Sequence, residues 1–353
     1  MSTETAGATM RALVLRAFGG PLYLEQLPRP SPGPGEVLVR VAACGLGLTV
    51  DHAIAGRLPS PTRKLPVIPG HEVAGVVEAL GPGVTEPAVG QRVITSFYLT
   101  CGSCRFCRAG REPLCERFRG YLGADADGGY AEYVVVPAAN ALPIPDALDL
   151  VAATAIPDAI GTPFHVCHTR AAVRPGQRVL VTGAAGGVGV HMVQMARACG
   201  AEVIALDIDD ARLARLAEYG AALTLSWPRV AGLSPQQAGL GRGVDVAIDL
   251  VGQPAVLAWC FAALDRGGTL VSLTTHTRLE ALPVPSHLLV NKEATVMGSR
   301  YVARWELLRA IELVARGVIR PVVSATCDLA GAAALFERLR AGQLFGRGAV
   351  LPT

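Results

Sequence analysis

The sequence predicts an α/β protein of two domains, a β-rich half followed by a doubly wound parallel sheet carrying helices on both faces. Three observations predict it. The chain has 353 residues, more than one compact core usually holds and about right for two. Up to about Ile156 it reads as short β-branched runs broken by Gly and Pro; beyond that, strand and helix patterns alternate. A glycine-rich turn stands where the first strand of the alternating half opens into a helix.

In the first half, "RALVLRAF", "EVLVRVAAC", "HEVAGVVEAL", "QRVITSFY" and "AEYVVVP" read as strands, and "RPSPGPGE" as a turn-rich connector. In the second, the strand "QRVLVTG" leads to the helix "VGVHMVQMARACG". Strand "AEVIALD" leads to helix "DDARLARLAEYG", and "VDVAIDLVG" to "PAVLAWCFAAL" and the strand "GGTLVSL". Strand–helix–strand units of this kind imply parallel pairing. Helical "RWELLRAIELVARG" and "LAGAAALFERLRAG" are expected to finish the sheet and return to the first domain. The expected boundaries are 1–156, 157–301 and a return segment 302–353.

Composition narrows the function classes. The chain carries 32 basic and 29 acidic side chains, a net charge of +3, and no basic run. Nucleic acid and acidic membranes are therefore not expected partners. No apolar run approaches the roughly 20 residues that span a bilayer. "MSTETAGATM" has no basic-then-apolar leader pattern, so the expected location is the cytoplasm. Of nine cysteines, four crowd into residues 101–115, which in a reducing compartment points to metal rather than disulfides. The others, Cys167, Cys199, Cys260 and Cys327 among them, sit in apolar runs and read as core; His165 and His168 read as surface residues.

"VLVTGAAGGVGVHMVQMARACGAEVIALD" suits a dinucleotide. A tight turn between strand and helix lets backbone N–H groups and the helix dipole meet a pyrophosphate, as in Rossmann-type folds. Gly183, Ala184, Gly186, Gly187, Val188 and Gly189 form the turn, with Ala184 where the first fingerprint glycine usually stands. Gly186 allows close approach to phosphate, and Gly189 close packing of the helix. Asp207 closes the next strand; its carboxylate would accept from a ribose 2′-hydroxyl and repel a 2′-phosphate, which favours NAD(H) over NADP(H). Arg212, a turn further on, could lie over the adenosine ribose or be an ordinary exposed charge.

"CGSCRFCRAGREPLC" places Cys101, Cys104, Cys107 and Cys115 on one short loop, within an expected lobe of 97–120. Four thiolates with no open position suit a closed, structural tetrahedral zinc.

Together the two motifs, with "GHE" at 70–72 and "DGGYAEY" at 127–133, resemble the medium-chain dehydrogenase/reductase superfamily over nearly the whole length. The zinc-containing alcohol dehydrogenase branch is the nearest in pattern. The resemblance implies a GroES-like catalytic domain beside the Rossmann domain, and a cytoplasmic homodimer or homotetramer pairing through "EATVMGS". It implies His71, the adjacent Glu72 and Asp158 as ligands of a catalytic zinc. Thr49 and His52 match the relay that carries the substrate proton, and Thr162 a threonine packed on the nicotinamide. The departures are Gly47, where the family's zinc-binding cysteine would stand, and Leu48, where many relatives carry a basic residue. Arg347 could supply that charge to the pyrophosphate instead. Cys44 is a poor substitute thiolate, and each polar position also has a plain structural reading, Asp158 as an N-cap for example.

The expected activity is therefore NAD(H)-dependent hydride transfer between nicotinamide and an alcohol or ketone, with the catalytic zinc weakened or absent. The alternative is zinc-independent reduction of an α,β-unsaturated carbonyl or enoyl-CoA, which Gly47, the "VTGAAGGVG" loop and "GVIRPVV" favour. A non-enzymatic nucleotide-binding protein is a third reading, opposed by the relay residues. The substrate is a small molecule whose pocket walls are expected from loops near 53–60, 121–125 and 274–290. Lys64 and Arg278 there would suit an anionic group or simply be exposed charges.

Overall fold

The computed structural model describes residues 8–58, 64–274 and 281–352. The chain divides into two units, Met1–Pro157 with Ala303–Ile311 and Val323–Thr353, and Asp158–Val302 with Glu312–Val322.

Unit 1 is built from β1 (Thr9–Leu15), β2 (Leu22–Pro28), β3 (Glu36–Leu46), β4 (Val73–Leu80), β5 (Arg92–Thr95), β6 (Tyr133–Pro137) and β7 (Ala141–Pro143). β1 and β2 make an antiparallel ribbon. The eleven-residue β3 is buried along most of both faces, which is why "VLVRVAACGL" is nearly continuous in apolar residues rather than alternating. It pairs antiparallel with β4 and with β6, and β5 and β7 extend the sheet beyond β4.

Unit 2 carries β8 (Arg178–Thr182), β9 (Glu202–Asp207), β10 (Ala221–Ser226), β11 (Val244–Asp249), β12 (Leu264–Ser272) and β13 (Thr295–Gly298). All pair parallel, in the order β10-β9-β8-β11-β12-β13. The order reverses between β8 and β11, so the chain leaves those neighbours in opposite directions and opens a crevice at their carboxyl ends. The helix Pro254–Ala263 starts with proline at its first turn, where no N–H is missed. It buries Leu257, Trp259, Cys260 and Phe261 in one core with Leu180, Ile204, Ala247 and Leu270. Each large side chain so buried stabilises the unit by about 1.5–3 kcal/mol.

The strands of the C-terminal segment return to unit 1. β14 (Val323–Asp328) and β15 (Arg347–Leu351) join the sheet of unit 1 and add no strand to the parallel sheet. β15 lies antiparallel to the end of β3, with Gly348 opposite Leu46 and Val350 opposite Cys44. That register brings Arg347 beside Gly47. Among the described residues, no helix is long and apolar enough to cross a membrane.

Candidate active site and metal lobe

The turn after β8 is tight because Gly183 takes a left-handed φ of +60°. The left-handed position therefore falls one residue before Ala184, which is fully buried and costs the turn nothing. A Cβ on Gly189 would lie 2.7 Å from Ala184 Cα, so only glycine lets the helix Gly189–Ala198 start this close to the strand. Asp207, at the end of β9, is buried; its Oδ2 accepts from the N–H of Ala185 at 2.9 Å and its Oδ1 from Ile208 at 2.8 Å. The acid thus braces the glycine turn. Arg212 lies 3.5 Å from Asp207 and 3.1 Å from Asp209, held between carboxylates rather than standing as an isolated surface charge. Backbone donors at a helix start, a side-chain-free turn and a carboxylate on the adjacent strand fit a dinucleotide.

One supporting residue escaped the sequence reading. His191 is fully buried, with Nδ1 2.7 Å from the carbonyl of Gly187 and Nε2 accepting from the N–H of Val322 at 2.9 Å. A backbone N–H can only donate, so Nε2 carries no proton and the ring is the neutral Nδ1–H tautomer. The signal available was a histidine among the apolar residues of the first turns of the helix Gly189–Ala198.

Asp158 and Thr162 sit in a helical run, Ile156–Ile160 followed by Gly161–Phe164, where wide π-type turns occur. Both side chains are buried, and the Thr162 hydroxyl donates to Asp158 Oδ1 at 2.8 Å. Asp158 lies within the helical run, not at its N-cap.

In unit 1, Cys101, Cys104, Cys107 and Cys115 bring four sulfurs within 4.8 Å of one another, with Cys104 to Cys107 at 3.5 Å and Cys101 to Cys107 at 3.9 Å. A tetrahedron with Zn–S bonds of 2.3 Å has edges of about 3.8 Å, so the lobe fits zinc. Backbone N–H groups of Cys101 and Cys104 point at sulfurs, 3.3 and 3.4 Å away, which favours thiolates. The lobe is anchored by Arg304, whose Nε and backbone N–H both reach buried Glu112 at 2.6 Å, and by Trp305 donating to the Gly110 carbonyl at 3.0 Å.

His71 and Glu72 precede β4 and are both buried. The His71 ring packs on Phe97 with centroids 4.7 Å apart. Gly70 has φ +98°, and a Cβ there would meet Cys44 Sγ and the Tyr130 ring at 2.8 Å, so the approach to "HE" tolerates no side chain. Thr49 and His52 lie on the helix Leu48–Ile54, three residues apart and so on one face. The same helix is pinned by Asp51, which accepts from Arg340 Nε at 2.8 Å. Burial, with the Glu72 charge, pushes the Cys44 thiol well up.

What fills the place of the missing thiolate is Arg347. A Cβ added to Gly47 would overlap the guanidinium, lying 2.7 Å from Cζ. Arg347 Nη2 donates to Glu72 Oε1 at 2.9 Å, and both side chains are buried, 5% and 1% exposed. The acid expected beside a zinc thus faces a fixed positive charge, and position 47 has neither a donor nor room for one. Of the unit 1 donors that the resemblance names, His71 and Glu72 are in place, with Glu72 Oε1 taken up by Arg347. Of the loops expected to wall the pocket, residues 59–60 and 275–280, Arg278 included, lie outside the described residues.

The comparisons agree with this architecture. Residues 33–146 match the alcohol dehydrogenase GroES-like domain and residues 187–316 the zinc-binding dehydrogenase domain. An alcohol dehydrogenase of Geobacillus stearothermophilus is 35% identical over 96% of this chain and 98% of its own length. An acryloyl-coenzyme A reductase of Metallosphaera sedula is 29% identical over 91% of this chain and 93% of its own. The crystal structure of AibC superposes with a TM-score of 0.90 at 34% identity, covering 100% of this chain and 99% of that one. Zinc and a nicotinamide cofactor are the family's equipment. The chain is a dehydrogenase/reductase that belongs to the zinc-type, alcohol dehydrogenase-like branch of the medium-chain dehydrogenase/reductase superfamily.

Proposed function

We propose that the chain is an NAD(H)-dependent reductase of carbon–carbon double bonds conjugated to a carbonyl, working with a single structural zinc on Cys101, Cys104, Cys107 and Cys115. The observation that carries this reading is Arg347 in the side-chain space of Gly47, paired with Glu72. Interconverting a ketone and an alkoxide calls for strong polarisation of one oxygen, which a metal supplies well. Conjugate reduction spreads the charge into an enolate, which hydrogen-bond donors can stabilise. A site that holds guanidinium against Glu72 suits the second chemistry better. The acryloyl-coenzyme A reductase among the relatives supports it.

A bound nicotinamide would supply the hydride, delivered to the carbon β to the carbonyl. The chain's own residues do the rest. Gly183, Gly186, Gly187 and Gly189, with Ala184 and Val188, present backbone to the pyrophosphate, and Asp207 accepts from the ribose, favouring NAD(H). Arg212 flanks that acid, and Thr162, oriented by Asp158, packs on the ring. Thr49 holds the proton destined for the α carbon, and His52, on the same helix face, returns it from solvent. His71 acts as a hydrogen-bonding group rather than a ligand. Arg347 serves Glu72 rather than the pyrophosphate. We also propose a cytoplasmic homodimer or homotetramer paired through β13, the edge strand of the parallel sheet.

Alcohol–ketone interconversion is the second reading, favoured by the higher identity to alcohol dehydrogenases and by Thr49 and His52. Zinc per subunit, measured by elemental analysis on dialysed protein, tests the two together with NADH oxidation by an enoyl thioester and by a saturated ketone. One zinc and turnover of the enoyl substrate is the expected result. Two zincs with turnover of the ketone alone would overturn the proposal in favour of the second reading.

A further inference from the structure

Behind the glycine turn, two buried polar side chains of the helix Gly189–Ala198 meet one short segment of unit 2. Gln194 Nε2 donates to the Arg320 carbonyl at 2.9 Å, and the Arg320 N–H donates back to Gln194 Oε1 at 2.8 Å. His191, three residues earlier and so on the same helix face, accepts the Val322 N–H on Nε2 at 2.9 Å. Arg320 is fastened by its side chain too. Its Nη2 donates to the Glu218 carbonyl at 2.6 Å, and its guanidinium lies 4.9 Å from the Tyr219 ring centroid. The segment that presents the Val322 N–H is therefore fixed.

The other nitrogen of His191 faces the turn. Because Val322 offers a donor to Nε2, Nδ1 carries the proton and donates to the Gly187 carbonyl at 2.7 Å. The Gly187–Val188 peptide is trans and planar, so its N–H points opposite to its C=O. Val188 already has helical φ −82° and ψ −36°. With the carbonyl held toward the helix, the Val188 N–H is turned to the open end, where first-turn donors have no partner within the helix and can meet an anion. Gly186, Gly187 and Val188 are the half-buried part of the turn, flanked by fully enclosed Ala184, Ala185 and Gly189.

We infer that His191 is a positioning residue for the cofactor's pyrophosphate, acting through the Gly187 carbonyl to aim the Val188 N–H. The inference rests on the glycine turn being the dinucleotide site, as proposed above, and adds what orients that turn. Arg320–Val322 decides which imidazole nitrogen carries the proton. A ring protonated on Nε2 alone would set the Nδ1 lone pair against the Gly187 carbonyl and push the peptide away. With the peptide locked beforehand, little ordering is left for the moment of binding, and the phosphate keeps more of the interaction.

The test uses isosteres in full-length, zinc-loaded protein, with NADH binding followed by fluorescence titration. An asparagine amide nitrogen can stand where Nδ1 stands and keeps the donor for Gly187, whereas glutamine reaches to the place of Nε2 and keeps only the acceptor for Val322. His191→Asn should therefore hold NADH within about two-fold of the natural protein, while His191→Gln weakens it about ten-fold, the worth of one charged hydrogen bond. ADP-ribose, which carries the pyrophosphate, should follow NADH; adenosine should compete equally well against every variant. Equal effects of the two substitutions, or adenosine weakening in step with NADH, would mean plain structural damage and overturn the inference. Gly186→Asp sets a carboxylate in the turn and should abolish NADH binding. Unchanged binding there would fail the dinucleotide reading of the turn itself, whereas loss there with no effect of His191→Gln fails this inference alone. Nitrogen NMR of the histidine-labelled natural protein needs no variant to fold: it should show the Nδ1–H tautomer at His191, and an Nε2–H tautomer would overturn the inference.

Discussion

Gly47→Ala separates the role of Arg347 from plain backbone chemistry by the sign of its effect. Gly47 has φ −152° and ψ 176°, extended backbone that alanine adopts without strain. On backbone grounds alone, the substitution would stabilise the protein by about 0.4–1 kcal/mol through the unfolded state. The added Cβ, however, overlaps the guanidinium of Arg347, which is walled in and cannot keep its bond to Glu72. Leaving one member of a buried ion pair unpaired costs about 3–5 kcal/mol. The net loss is then about 2–4.5 kcal/mol, and at roughly 2–4 °C per kcal/mol for a unit of this size Tm falls by about 4–18 °C. The assay is thermal unfolding followed by circular dichroism, in the natural background and in Arg347→Met. With Arg347 gone there is nothing for the methyl group to displace, so Gly47→Ala should be neutral or stabilising there. The expected coupling in the double-mutant cycle is about 2 kcal/mol or more. A Tm at or above that of the natural protein for Gly47→Ala alone would refute the reasoning.

The remaining predictions concern metal and cofactor. Gly47→Cys by itself should leave zinc at one per subunit, because Arg347 occupies the space; Gly47→Cys with Arg347→Met should raise it toward two. A second zinc in the single variant would show that the arginine does not exclude metal. Asp207→Ala should narrow the NAD/NADP preference ten-fold or more, since a buried hydrogen-bond partner is worth about 1–3 kcal/mol; an unchanged ratio would remove Asp207 from ribose recognition.

The sequence by itself determined what is local. The glycine turn, its preceding strand and the acid on the next strand lie within one strand–helix–strand unit, where turn chemistry and periodicity are read residue by residue. The four-cysteine loop is equally local, since its ligands are held within fifteen residues and need little else to find one another. Even there the structure moved details: the left-handed residue is Gly183, and Asp207 also braces the turn through Ala185.

Only the tertiary structure decided what long-range pairing brings together. Gly47 alone signalled a lost ligand, and nothing near it in sequence told what fills the space. The answer is Arg347, delivered by the antiparallel register of β15 on β3. A one-residue slip in that register would turn every side chain of β15 to the opposite face and take the guanidinium away from Glu72. Local pattern specifies elements and the sites built within one of them. Sites whose members come from distant segments are set by strand register and helix packing, which are properties of the whole chain.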